Sequence, residues 1–162
     1  MLYKTAITDA MTELGRDPKR VFIGYNMQNP SFIGVPAEQI IETPVAENLM
    51  LSMAIGMALD GFKPLVWFER FDFIMNAMDA LVNHLCKIKG LSKGEFDPAV
   101  IIRCQVGGTK MPFFTGPTHT QDFTDVMCKL VDFPVVEFMP GVYETDSSLM
   151  VVEYKDKYSE QV

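Results

Sequence analysis

Three short runs, Val21-Phe22-Ile23-Gly24-Tyr25, Pro64 to Phe68 and Ala99-Val100-Ile101-Ile102, are apolar at consecutive rather than alternate positions, and a fourth, Val135 to Phe138, is interrupted only by Glu137. A strand of that kind buries both faces, which in soluble folds means a parallel sheet covered on each side by helices. The intervening segments supply them. Tyr3 to Leu14 has apolar residues near helical spacing and is stopped by Gly15 and Asp17-Pro18. Ile40 and Ile41 lead through Glu42-Thr43-Pro44 into a helix from about Ala46 to Leu59, ended by Asp60-Gly61. Asp72 is placed to cap a long helix running to about Lys89, with Gly90 as its stop. A helix from Asp122 to about Val131 and a final helix from about Asp146 complete the pattern. The order predicts an α/β three-layer sandwich with a mostly parallel central sheet. Sites in such sheets lie beyond the carboxyl ends of the strands, so the loops after Ile41, Phe68 and Val106 are where chemistry is expected.

Several function classes drop out. The chain has 162 residues and a formal charge of −7, a poor match to nucleic acid or an anionic membrane. At 48% hydrophobic residues it is a folding chain rather than a disordered one, of a size for one domain. No apolar run reaches the ~18–20 residues of a membrane span, and no signal-peptide pattern follows Met1. A soluble, cytoplasmic protein is expected. Cys86, Cys104 and Cys128 form no close pairs; Cys86 reads as core, and Cys104 and Cys128 as small buried hydrophobes. His84 and Cys86, two apart on one helix, point about 200° apart and cannot act as a nucleophile–base pair. There is no Gly-x-Ser-x-Gly elbow, P-loop or Gly-x-Gly-x-x-Gly, and no metal-ligand cluster. An unrelated α/β hydrolase would therefore lack its nucleophile motif.

Three stretches carry candidate chemistry. The helix from Ala46 is apolar around its circumference and studded with Ala46, Ser52, Ala54, Gly56 and Ala58, so a second helix can approach it closely. Glu47 in its first turn suits the helix dipole, and suits equally well a partly buried carboxylate aimed into a cleft. Phe68-Glu69-Arg70-Phe71-Asp72-Phe73 reads as a cap with core aromatics, or as an aromatic platform flanked by charge. The loop Gly107 to Thr120 gathers Gly107-Gly108 and Gly116-Pro117 around His119. Twelve Met and twelve Phe fit an ordinary Met-rich core, or a core plus a large subunit interface, with Met75, Met78 and His84 of the long helix as a second candidate surface.

Taken in order, Glu42-Thr43-Pro44-Val45-Ala46-Glu47, Gly56-Met57-Ala58-Leu59-Asp60-Gly61-Phe62-Lys63-Pro64, Phe71-Asp72-Phe73 through Ala77-Met78-Asp79, Asn83-His84 and Lys87, and Gly116-Pro117-Thr118-His119-Thr120-Gln121 make a recognisable series. It resembles the pyrimidine-binding domain of transketolase-type thiamine-diphosphate enzymes, most nearly the beta subunit of 2-oxo acid (pyruvate) dehydrogenase E1. The resemblance covers roughly residues 3 to 150. It implies a thiamine-diphosphate-binding fold in which Glu47 hydrogen-bonds N1′ of the cofactor's aminopyrimidine and favours the tautomer whose 4′-nitrogen takes a proton from the thiazolium. It implies further that Phe73 stacks on the pyrimidine, with Phe71 and Glu69 lining the same cofactor site. His119 would act on protons at the reacting carbonyl.

The same resemblance exposes what this chain is expected to borrow. It contains no Gly-Asp-Gly motif for the diphosphate and Mg²⁺, and it stops where an E1 beta subunit would continue into a C-terminal domain. Residues 1–162 are thus expected to be a single pyrimidine-binding domain, inactive alone, with Mg²⁺ held by a partner. The implied partner is an E1 alpha-like diphosphate-binding chain, joined to a homodimer within a heterotetramer acting on a 2-oxo acid or ketose. Glu69 and Arg70 depart from the uncharged residues common in E1 relatives, and Gly-Pro-Thr-His is closer to transketolase and deoxyxylulose-phosphate synthase. The alternative expectation is a non-catalytic scaffold that keeps the fold without the cofactor chemistry.

Overall fold

Strand pairing follows the apolar runs. The computed structural model describes residues 1–111 and 114–162, so two residues of the predicted Gly107–Thr120 loop lie outside the described residues. Among the described residues, β1 (Arg20–Gly24), β2 (Ile40–Glu42), β3 (Lys63–Phe68), β4 (Ile101–Val106), β5 (Val135–Glu137) and β6 (Leu149–Tyr154) form one sheet in the order β2-β1-β3-β4-β6-β5. Every pairing is parallel, with Ile23 opposite Val66, Val66 opposite Ile102 and Ile102 opposite Met150.

Alternation along each strand divides the core into two layers. Val21, Ile23, Val66, Phe68, Ile102 and Met150 face α2 (Glu47–Leu59) and residues 71–85. Phe22, Leu65, Trp67, Ile101 and Val151 face α1 (Tyr3–Leu14), which presents Tyr3, Ile7 and Met11. Both layers are fully enclosed, as the consecutive apolar residues require. No helix among the described residues is long and apolar enough to cross a membrane.

The predicted Asp72–Lys89 helix is a chain of shorter turns. A 3-10 helix covers Phe71–Ala77, a π-helical segment Asp79–Leu85, and α3 only Ile88–Leu91. The buried residues explain the first part: Phe71, Ile74 and Ala77 fall three apart, the 3-10 period. The wide turn that follows is closed by Cys86 N–H donating to Leu81 O at 3.1 Å. Asp72 makes no capping bond; its carboxylate is engaged elsewhere.

The final helix expected from Asp146 is also corrected. Leu149-Met150-Val151-Val152 is an apolar, β-branched run that enters the sheet as β6 between β4 and β5, and only a 3-10 turn at Lys155–Lys157 follows. On α4 (Thr124–Leu130) only Met127 is buried, so Cys128 is exposed rather than core.

β4 runs four residues past the Ile102 at which its apolar sequence ends, carrying Arg103 and Gln105 into the interior. Arg103 survives there because β6 supplies Glu153. Its Nη2 donates to Glu153 Oε2 at 3.0 Å, Nε completes a bidentate pair, and Nη1 donates to Ser31 Oγ at 3.1 Å. The guanidinium also lies over Phe32 and Trp67, 5.0 and 5.3 Å from their ring centroids. Burial alone would ease its proton off, and the Glu153 carboxylate more than reverses that.

Candidate functional site

The chain moves from β1 outward to β2, then returns past β1 to β3, so the carboxyl ends of β1 and β3 flank the point where the strand order reverses. Side chains at such a crevice are free of crossover connections and available to a ligand. Leaving β1, the chain turns at Asn26, which adopts φ 55°. Glu42 at the end of β2 pins this turn, accepting from the backbone N–H of Asn26 at 2.7 Å and of Met27 at 2.8 Å. Across the crevice, Asn26 Nδ2 donates to Glu69 Oε1 at 3.1 Å. Arg70 folds back, its Nη1 donating to the Glu69 carbonyl at 2.6 Å and lying 3.5 Å from both Gln105 Oε1 and the Glu69 carboxylate.

Glu47 is the first residue of α2, and it is buried, with 4% of its surface exposed. Its Oε2 accepts from Asn76 Nδ2 at 3.4 Å; its Oε1 is enclosed and accepts no hydrogen bond among the described residues. The Thr43 hydroxyl, four residues earlier, is likewise enclosed without a partner. A carboxylate oxygen left unsatisfied inside a protein costs stability unless something else uses it. Tyr25, leaving β1, feels the same charge: its phenol is pushed up to about 12 by burial, then by the carboxylates of Glu47 and Glu69.

Phe73 and His119 are brought into direct contact, ring centroids 5.3 Å apart and planes at 88°. In a 3-10 helix residues three apart are eclipsed, so Phe73 and Asn76 share one face, and Asn76 carries that face to Glu47. An adjacent face carries Phe71 into the core, fully buried and edge-on to Phe123 at 5.9 Å. Phe71 thus anchors the segment that presents Phe73. Glu69 is tied to Asn26 and Arg70, and its charge acts on Tyr25.

His119 is held by its own turn, its N–H donating to Gly116 O at 3.1 Å and its Nδ1 lying 3.0 Å from Thr118 Oγ1. Its carbonyl rests directly on Gly107, where a Cβ would collide with it. Glycine is required there by this close approach, φ being ordinary. Gly107→Ala is expected to destabilise the fold by about 1–3 kcal/mol, as overpacking does, and to push the 116–121 turn off Phe73. Urea denaturation, with the ring shift of His119 in proton NMR, checks both effects.

The residues found here but not singled out in the sequence as site residues are Tyr25, Asn76 and the Asp72–Gln121 pair. Asp72 and Gln121 stood inside recognised motifs, while nothing at Asn76 or Tyr25 marks them without the fold. His84 lies on the surface, 3.4 Å from the Asp79 carboxylate, and is not part of this group. Among the described residues no group of three or more His, Cys, Asp or Glu side chains could hold a metal ion.

Residues 1–127 match the family described as transketolase, pyrimidine binding domain. The pyruvate dehydrogenase E1 component subunit beta of Rickettsia conorii is 27% identical over 163 residues, covering 94% of this chain and 48% of that protein. The mitochondrial subunit beta of Saccharomyces cerevisiae is 30% identical over 134 residues, covering 76% and 36%. This chain spans about half the length, or less, of the curated relatives it matches. Among solved structures, a split gene transketolase described as an inactive beta4 tetramer superposes with a TM-score of 0.72 at 17% identity, over 95% of this chain and 52% of that one. The thiamine diphosphate-dependent 4-hydroxybenzoylformate decarboxylase of Rhodococcus jostii gives 0.61 at 18% identity, over 94% and 31%. These two likenesses speak to the fold.

Proposed function

This chain belongs to the transketolase pyrimidine-binding domain family, and from that membership we propose that it supplies the pyrimidine half of a thiamine-diphosphate site completed by a separate diphosphate-binding chain. The observation that carries the proposal is Glu47: a buried carboxylate at a helix start, with one oxygen unpartnered, reached from the face that bears Phe73. These residues fit the group. An aminopyrimidine offers a ring for Phe73 and a nitrogen for Glu47 Oε1, and offset stacking there is worth about 1 kcal/mol. Glu69 is assigned to the rim of the same site, whereas Phe71, expected to line it, is buried in the core and serves only to anchor the segment that bears Phe73.

The bound cofactor would supply a carbon nucleophile and an electron sink for cleavage or transfer next to a carbonyl. This chain's residues do the remainder. Glu47 holds or releases a proton at the pyrimidine nitrogen. Asn76 orients the Glu47 carboxylate. His119, packed against Phe73, moves a proton at the oxygen of the reacting carbonyl. Mg²⁺ and the diphosphate are assigned to the partner chain, and the substrate to the 2-oxo acids or ketoses. A cytoplasmic location goes with this reading.

Association also has support. The outer face of α2 leaves Leu49, Ser52 and Gly56 exposed, and a side chain built at Gly56 would meet nothing. A second copy packing there gives the homodimer of a heterotetramer. Calorimetric titration of thiamine diphosphate into this chain, alone and mixed with the diphosphate-binding chain, tests the proposal.

A further inference from the structure

Among the described residues three ties hold the turn bearing His119 (116–121) near Phe73, and one of them is a hydrogen-bonded link to another element; just beyond the turn, Tyr154 of β6 also donates to Asp122 Oδ2 at 2.9 Å. The contacts His119 N–H to Gly116 O and Thr120 Oγ1 to Gly116 O are local; they shape the turn without attaching it. The Gly107 seat is a packing contact, and the Phe73 ring is the thing being positioned. The remaining tie runs from Asp72. Its Oδ1 accepts from both the backbone N–H and the Nε2 of Gln121, at 3.2 and 2.9 Å. Gln121 lies two residues after His119, and Asp72 immediately precedes Phe73. One carboxylate oxygen thereby joins the two segments whose rings meet.

We propose that Asp72 is a positioning residue, a latch that fixes the geometry of His119 against Phe73 through Gln121. The inference rests on the reading of those two rings as parts of the site. Burial favours the assignment: Asp72 is 7% exposed, and its Oδ2 is enclosed with no partner among the described residues. A buried carboxylate satisfied on one oxygen is a poor device for stability alone. Charge-assisted bonds from one residue's main chain and side chain to a single acceptor are, by contrast, a strong and directional tether. Phe71 and Phe123 pack edge to face on the core side of the same junction. The latch therefore joins two anchored segments.

The test needs neither cofactor nor partner, because the chain has only two histidines. In proton NMR the His119 ring resonances are displaced by the Phe73 ring, and those of His84 on the surface serve as an internal control. Phe73→Leu abolishes the displacement and calibrates it. Asp72→Ala is expected to move the His119 signals most of the way to the Phe73→Leu position while leaving His84 unchanged. Asp72→Asn keeps an oxygen able to accept both bonds and is expected to hold them near the wild-type position. Gln121→Ala removes one of the two bonds and gives a shift in the same direction as Asp72→Ala, which keeps the test intact if Asp72→Ala fails to fold. His119 signals that stay at the wild-type position in the folded Ala variants overturn the proposal, as does a shift in Asp72→Asn equal to that in Asp72→Ala. Thiamine-diphosphate binding is measured separately, so failure of the latch and failure of the cofactor reading are told apart.

Discussion

Glu47→Gln is expected to lower the turnover of the reconstituted enzyme by about 10²–10⁴-fold, the range of a positioned proton-transfer group, while leaving the fold and the association with the partner intact. The substitution is nearly isosteric. The amide side chain would still start α2, bury the same volume and lie beside Asn76, whose own amide is 3.4 Å from the wild-type carboxylate. What the variant loses is the capacity to exchange a proton with a ring nitrogen and the charge that Tyr25 already feels. Steady-state turnover at saturating thiamine diphosphate is the measurement. Full activity in the variant would remove Glu47 from the mechanism.

The second large effect concerns stability. Glu153→Gln is expected to cost about 3–5 kcal/mol, because it strands the fully buried Arg103 charge between β4 and β6. That is a large share of the roughly 5–15 kcal/mol holding an ordinary domain folded. The penalty belongs to the uncompensated ion rather than to the pair. Arg103→Met combined with Glu153→Leu should therefore recover most of it, although the ring contacts of Arg103 to Phe32 and Trp67 are lost as well. Urea denaturation of the single and double variants separates these outcomes. Equal destabilisation by both would assign the effect to packing volume.

That ion pair also marks where sequence reading stops. Consecutive apolar runs locate β1 and β3 to within a residue or two, since double-sided burial needs nothing more than hydrophobic side chains, and the half-buried edge strand β5 is found in the same way from Val135-Val136. Arg103 and Gln105 looked like the end of a strand because their partners lie on β6 and after β3, far away in sequence. β6 itself was hidden by the charged residues around it, its apolar run Leu149 to Val152 being as compatible with a buried helix as with a strand. In the site, Glu47, Phe73 and His119 could be named because motif order carries them. Their mutual placement could not, since it depends on a 3-10 period aligning Phe73 with Asn76 and on hydrogen bonds that Gln121 donates to Asp72 across 49 positions. Phe71 shows the same limit from the other side. Two aromatics two apart read alike in sequence, and only the turn geometry sends one to the core and the other to the rim.

The most direct test of the shared-site account is the calorimetric titration of thiamine diphosphate. The account predicts no saturable binding to this chain alone, binding to its mixture with the diphosphate-binding chain in the presence of Mg²⁺, and loss of that binding when the mixture contains Glu47→Ala. No binding by a mixture in which the two chains demonstrably associate would contradict it, and would leave the fold serving as a scaffold.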